Sequence, residues 1–349
     1  MAKRLIPPEM PLPSESPPMT PARSFSEALV STPLFFEPVP PMGRSPAARV
    51  TERVEAIACL VREVPRLDAL DVPELVDENH EGRPRYRSGD IRPFAVRLQE
   101  ATERPAVINR IVAHVASAPE LERWATETTA LGLRHVVLVG GASRFIPYPG
   151  PSVADANRLC RPIFRDAGGS IGNIAIPQRV GEPHRMLSKT RVGASFFTTQ
   201  ILFDGDRAVD LVRQYAYLCR QASIPPATVL LGFAPVADDQ DVEFVRWLGA
   251  EIPETIEQML LEEDEAEVLR RSEARAIALW ETVRATVARE ELEVPLGVNV
   301  EQVSSRHLDA AAHLLREFAR RIDSVPSAGP GTEAPDPSPG RSAPSGSTV

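Results

Sequence analysis

Two short stretches carry the residue types that could do chemistry. At positions 35–41 the run Phe-Phe-Glu-Pro-Val-Pro-Pro surrounds one carboxylate, Glu37, with apolar and proline side chains. Burial penalises a charged carboxyl and raises its pKa, which would let Glu37 donate a proton near neutral pH. The alternative is a structural carboxylate paired with a base such as Arg44 or Arg179. The second stretch, residues 192–204, is apolar, β-forming and too short to span a membrane, yet it carries Thr198, Thr199 and Gln200 in its interior. A buried glutamine amide needs partners. Gln200 either offers a donor and an acceptor to a ligand or bonds to neighbouring backbone.

Other candidates have weaker signals. His114 and His135, on or beside predicted strands, are of a kind more often hydrogen-bonded within the fold than catalytic. The six histidines show no HExxH or comparable spacing, so no metal site is expected. Gly140-Gly141-Ala142-Ser143-Arg144 follows a strand and could cradle phosphate with backbone N–H groups, but it lacks both GxGxxG and a GK[ST] ending. Gly168-Gly169 and Gly232 read as turn and strand-end glycines.

The elements that must position these residues alternate along the chain. Strands are predicted at 34–37, 67–72, 106–114, 134–139, 170–176, 192–204, 228–233 and 296–300. Helices are predicted at 47–64, 91–103, 118–131, 152–166, 182–191 and 207–222, with two more inside 253–290. The acidic run 262–267 reads as a solvated face. About eight strand–helix repeats in one domain's length predict a (β/α)₈ TIM barrel, whose active site lies at the carboxyl ends of the strands. Polar residues there include Glu37, Asp71, Asp77, Glu78, His114, Ser143, Arg144, Gln178, Arg179, Gln200, Asp204, Asp238, Asp239, Asn299 and Glu301.

With 349 residues, 43% of them hydrophobic, the chain can bury a large core. Residues 1–33 are proline-crowded and 324–349 are rich in Pro, Gly, Ser and Ala. The expectation is a disordered or weakly ordered N-terminal segment (1–33), a TIM-barrel catalytic domain (34–323) and a disordered C-terminal tail (324–349). A net charge of -9 argues against a nucleic-acid surface and against anionic lipid. Three widely spaced cysteines, Cys59, Cys160 and Cys219, together with the lack of a long apolar run, lead us to expect a soluble cytoplasmic protein. Homo-oligomerisation is left open.

Several motifs, in order, resemble the methylenetetrahydrofolate reductase family. Phe36-Glu37-Pro-Val-Pro-Pro41 resembles its opening Phe-Glu-Phe-Phe-Pro-Pro signature. The stretch Gly132-Leu-Arg-His-Val-Val-Leu-Val-Gly-Gly141 is similar to its fourth strand. Lys189-x-x-x-Gly193-Ala194 followed by Thr199-Gln200-Ile-Leu-Phe-Asp204 resembles its sixth, and Gly232-Phe-Ala-Pro-Val236 its seventh. The resemblance spans roughly residues 34–300.

It implies a reductase that takes 5,10-methylenetetrahydrofolate to 5-methyltetrahydrofolate with NADH or NADPH, in one-carbon metabolism and methionine biosynthesis. It places Glu37 on the general acid that helps open the five-membered ring. It places Gln200, with Thr199 and Phe233, at the folate, and His114, Gly141, Ala142 and Lys189 at the cofactor. The family's Arg-Gly-Asp after the fourth strand is Gly140-Gly141-Ala142 here, and an aromatic that contacts flavin is Ile176, with Gln178 in place of the following acid. Its Thr-Tyr-Gly-Ala stretch is Val72-Pro73-Glu74-Leu75. These departures leave FAD open and favour hydride transfer directly from the nicotinamide. Two other readings stay open: a folate-binding TIM barrel without reductase activity, and an unrelated lyase or aldolase using Lys189 as an amine nucleophile. Lys189, at a helix end, is poorly placed for the latter.

Overall fold

The structure, a computed structural model, describes residues 23–143, 145–254, 258, 264–303 and 307–324. Residues 1–22 and 325–349, Arg144 and the first two residues of the acidic run 262–267 lie outside the described residues, so the expectations for them are not addressed by it.

In chain order the elements begin with helix α1 (Phe25–Val30), strand β1 (Leu34–Glu37), helix α2 (Ala47–Glu63) and strand β2 (Ala69–Val72). A hairpin of β3 (Val76–Glu78) and β4 (Pro84–Tyr86) follows, then helix α3 (Arg92–Thr102). Next come β5 (Ala106–Ile111), α4 (Ala118–Ala130), β6 (His135–Val139), α5 (Val153–Asp166), β7 (Ser170–Ala175) and α6 (Glu182–Arg191). The last third holds β8 (Ala194–Ile201), α7 (Gly205–Ala222), β9 (Thr228–Phe233) and α8 (Asp239–Trp247). It ends with α9 (Glu265–Arg289), β10 (Leu296–Glu301) and α10 (Leu308–Asp323).

Eight parallel strands close in the order β1-β10-β9-β8-β7-β6-β5-β2, with helices between them, so the expected (β/α)₈ barrel is the observed fold. Outward-facing strand residues pack against the helices in a continuous apolar shell that includes Phe36, Leu70, Ile108, Phe197, Phe233, Trp280 and Phe318. Inward-facing residues at the amino end, Phe35, Ala69, Val107, Val137, Phe196 and Leu230, form a separate cluster inside the barrel.

Helix α1 closes that end. Phe25 and Leu29 join the inner cluster, and the Phe25 ring stacks on His135 at 3.7 Å between centroids. A capping box between Ser24 and Glu27 starts the helix by satisfying two of its free N–H groups. Part of the segment expected to be weakly ordered is therefore a plug of the barrel floor.

The hairpin β3–β4 and helix α8 were not expected, and both stand over the carboxyl end of the barrel. Arg87, just after β4, places its guanidinium over the Trp247 ring of α8 at 5.2 Å. On its other side the hairpin turn at Gly82 abuts Ile146 and Tyr148, leaving no room for a side chain. Among the described residues no helix is long and apolar enough to cross a membrane.

Candidate functional site

The carboxyl ends of the strands open into a cavity of about 970 Å³ under the hairpin and α8. Glu37, the last residue of β1, lies on its wall. Pairing in register places Glu37 beside Glu301 of β10, and the β1–β2 register of Phe36 with Leu70 carries Glu37 level with Asp71 of β2. Three carboxyls therefore stand side by side on consecutive strands.

Asn299, two residues before Glu301, donates its amide to Glu37 Oε2 at 2.8 Å. Burial pushes the Glu37 carboxyl up to about 7, against the opposing pull of the Asn299 hydrogen bond. Asp71 is wholly buried; burial first and then the neighbouring Glu37 raise it well above the ordinary carboxyl range. Glu301 is raised in the same way, by burial and then by Glu37 and Asp71. The expected alternative for Glu37, an ion pair with Arg179, is not formed; Arg179 lies instead 3.9 Å from Glu182.

Glu301 depends on a glycine. A β-carbon at Gly232 of β9 would lie 2.5 Å from Glu301 Oε1, and within 2.8 and 3.0 Å of the Thr199 and Gln200 carbonyl oxygens. Gly232, read from sequence as an ordinary strand-end glycine, makes room for the carboxyl and for an irregular strand. Between Thr198 and Ile201 the β8–β9 register shifts.

Thr199 bridges that irregularity. Its hydroxyl donates to the Gln200 carbonyl and accepts from Gly232 N–H, each at 2.8 Å. Thr199, expected at the folate, borders the cavity, and its hydroxyl is spent on backbone. Gln200 reaches the cavity wall. Its Nε2 donates to the Leu248 carbonyl at 2.9 Å, while its buried Oε1 has no partner. The amide makes the backbone bond that the sequence left open, tying β8 to the end of α8, and leaves its oxygen without a partner.

Two expectations fail on side-chain direction. Phe233 was expected at the folate, but it faces outward and stacks on Phe318 at 5.1 Å in the shell between barrel and helices. Being next to Gly232 it alternates to the other face of the strand. His114 was expected at the cofactor. It lies past the end of β5 on a 3₁₀ turn (Val112–His114), its side chain is sealed, and its Nε2 pairs with Glu78 Oε1 at 2.8 Å. Tyr148 donates to the other Glu78 oxygen at 2.6 Å, so the histidine anchors the hairpin from behind.

Gly141, Ala142 and Lys189 do line the cavity. Gly141 is glycine because the Tyr148 ring lies against it, with room for no β-carbon (2.2 Å). Lys189 donates to the Ile174 carbonyl at 2.8 Å and sits 3.6 Å from the buried Glu182. Burial lowers its pKa, against the pull of Glu182. With Arg179 and Arg185 it makes one wall of the cavity cationic, while carboxyls line the Glu37 side.

Elsewhere, Asp238, Asp241 and His307 bring ligand-type atoms within 4.8 Å of one another. Two of these already serve the fold: Asp238 caps α8, and Asp241 accepts from Ala237 N–H at 2.9 Å.

Asp71, Asn299 and Glu301 stood in sequence among many polar strand-end residues, with nothing to single them out. Pairing the predicted strands in register would have put Asp71 and Glu301 level with Glu37 and Asn299 one layer beneath it, because parallel neighbours in register share a height.

No protein-family model and no curated protein matches the chain. Among solved structures, an uncharacterized protein from Clostridium thermocellum that binds two copies of 5-methyl-5,6,7,8-tetrahydrofolic acid is similar in fold. Its TM-score is 0.69 at 19% identity, over 84% of this chain and 97% of that one. Dihydropteroate synthase from Xanthomonas albilineans aligns with a TM-score of 0.41 at 15% identity, over 85% of this chain and 95% of that one. The first likeness is one of barrel architecture.

Proposed function

We propose that this chain binds a reduced folate in the barrel mouth and reduces 5,10-methylenetetrahydrofolate to 5-methyltetrahydrofolate, with NADH or NADPH as hydride donor. The observation that carries this reading is Glu37: a carboxyl held up to about 7 by burial, on the wall of a cavity large enough for such a ligand. The resemblance of the motifs around Glu37 and Gln200 to the reductase family supports it, as does the ligand of the Clostridium thermocellum neighbour.

The chemistry suits the residues. Opening the five-membered ring breaks the bond between the methylene carbon and N10, and the electron pair left on N10 takes a proton. Glu37, held up to about 7 and so carrying its proton in a large share of molecules at neutral pH, supplies that proton, and the carbon becomes the iminium that accepts hydride. A pterin edge is rich in N–H donors, and two residues of the cavity lining, Gln200 and Asn109, each hold an amide oxygen without a partner just beneath the surface. The nicotinamide supplies the hydride when bound; the cationic wall of Arg179, Arg185 and Lys189 fits its phosphates. Gly141, Ala142 and Ile176 bring neither charge nor a ring to a flavin, so we propose transfer without one.

Calorimetry with 5-methyltetrahydrofolate, NADH and NADPH oxidation driven by 5,10-methylenetetrahydrofolate, and an absorbance spectrum of the purified protein test the proposal. Binding together with nicotinamide oxidation supports it in full. Binding without oxidation, with or without added FAD, leaves a folate-binding barrel. No binding removes the folate reading. A stoichiometric flavin spectrum refutes only the flavin-free route.

A further inference from the structure

The row of carboxyls at the barrel mouth has a donor shortage that the ring-opening step does not explain. Asp71 is fully buried and neither of its oxygens has a hydrogen-bond partner. Asn299, also fully buried, spends an amide proton on Glu37 and leaves its Oδ1 without a donor. Leaving buried acceptors unpaired costs about 1–3 kcal/mol each.

The charged and polar groups around the row offer no relief. On α2, Arg53 donates to Gln302 Oε1 and to the Val39 carbonyl. After β2, Glu74 is paired with Arg110 at 2.6 Å. Lys189 is engaged with Ile174 on the far wall. The remaining inward neighbours, Asn109, Thr198 and Gln200, are uncharged. Among the described residues no cation pairs with the row, and adjacent like charges out of water do not all ionise.

We infer that Asp71, Glu37 and Glu301 form a proton store, in which Asp71 and Glu301 are neutral carboxylic acids at neutral pH and re-supply Glu37 after it has given up its proton. The missing donors are then the O–H groups of the acids themselves. The upward displacement of all three carboxyls by burial is in keeping with this.

The two flanking acids have different parts. Glu301 borders the cavity and is the relay. When Glu37 is left as a carboxylate, the O–H bond of Glu301 breaks as a new O–H forms on Glu37. The negative charge passes to Glu301, which takes a proton from water in the cavity, and the hydroxide left behind is neutralised by the one solvent proton that the overall reduction consumes. Asp71, sealed from the cavity, is a positioning residue: its O–H donates to the charged form of Glu37 and makes the single charge in the row tolerable. One proton moves at each step and no other reactant is needed. The inference concerns the protons of the row itself and holds for any ligand that draws a proton from Glu37.

Infrared absorption of the full chain at pH 8 tests it directly. Ordinary Asp and Glu are ionised there and absent from the band of protonated carboxyls. Wild type is expected to show that band, and Asp71→Asn and Glu301→Gln should each lose one group's share of it. Glu55→Gln, on the exposed face of α2, should leave it unchanged. No band in wild type at pH 8, or a band insensitive to both row substitutions, overturns the inference. Should Asp71→Asn fail to fold, Glu301→Gln at the cavity wall carries the same test. Because no ligand is added, failure here is distinct from failure of the folate reading.

Discussion

Replacing Glu37 by glutamine should make the protein more stable at neutral and alkaline pH. The carboxyl moves from an ordinary 4.5 to about 7 in the fold, chiefly through burial. Below 4.5 folded and unfolded chains both hold the proton, and the group has no effect on their balance. Between 4.5 and 7 the unfolded chain releases the proton while the folded one keeps it, so stability falls as pH rises. Above 7 the loss is complete. A shift of this size corresponds to about 3 kcal/mol, from roughly 1.4 kcal/mol per pH unit. Glutamine is nearly isosteric with the protonated acid and can still accept from Asn299, so it should abolish the penalty and keep the contact.

The assay is urea unfolding of wild type and Glu37→Gln at pH 4.5, 6 and 8. The two should be close at pH 4.5 and diverge steadily, with the variant ahead by about 2–3 kcal/mol at pH 8. In a domain of this size that is a rise in thermal midpoint of roughly 6 °C. Removing the charge of Glu37 also relieves Asp71 and Glu301, whose upward displacement it helps cause, and this pushes the difference in the same direction. A pH-independent difference, or a variant no more stable than wild type at pH 8, would refute the assignment of Glu37 as a buried, proton-holding acid.

In the same variant, turnover with 5,10-methylenetetrahydrofolate should drop by about 10²-fold or more while 5-methyltetrahydrofolate affinity holds; unchanged turnover would make Glu37 structural. Gln200→Ala should weaken folate binding by roughly 1–2 kcal/mol through the lost acceptor, read by calorimetry. It should also loosen α8, whose Leu248 carbonyl it holds. Gly232→Ala should cost about 1–3 kcal/mol in urea unfolding, since the new methyl meets backbone oxygens that cannot yield. Phe25→Ala should cost about 3 kcal/mol or more by the same measure; a neutral result would mean that α1 does not plug the barrel in solution.

The barrel could be read from the chain where turn chemistry brackets each element. Strand β9 is bounded by Pro226 and Pro235, and α6 begins after Gly181 and ends before Gly193, both at positive φ; all four of those bounds match the expected ones. β8 is shorter than expected because Gly193 already turns the chain and Asp204 caps α7. The hairpin was invisible for the opposite reason. Its strands are three residues each and largely solvent-facing, so no apolar alternation marks them. At the site, Glu37 and Gln200 were legible because each is a polar residue in apolar surroundings. Phe233 and His114 were misplaced because a motif gives position along the chain and not the face of the strand.

The inside of the barrel explains why a costly row of acids is tolerated. The lower interior is apolar, and α1 seals it with Phe25 and Leu29. Directly above lie Thr198 and Asn299, both buried, and above them the row of Asp71, Glu37 and Glu301, with Gln200 at the cavity. Water is excluded from below and admitted only from the mouth, so a carboxyl at this height is desolvated on one side and reachable by ligand on the other. The apolar shell and plug therefore do more than stabilise the fold. They set the low-polarity environment that keeps Glu37 protonated, and the energy lost in holding it there is recovered from the packing beneath it. A substitution that lets water into the floor, such as Phe25→Ala, should then lower the Glu37 midpoint as well as the stability. A pH titration of the variant that leaves that midpoint in place would separate the two roles and refute the coupling.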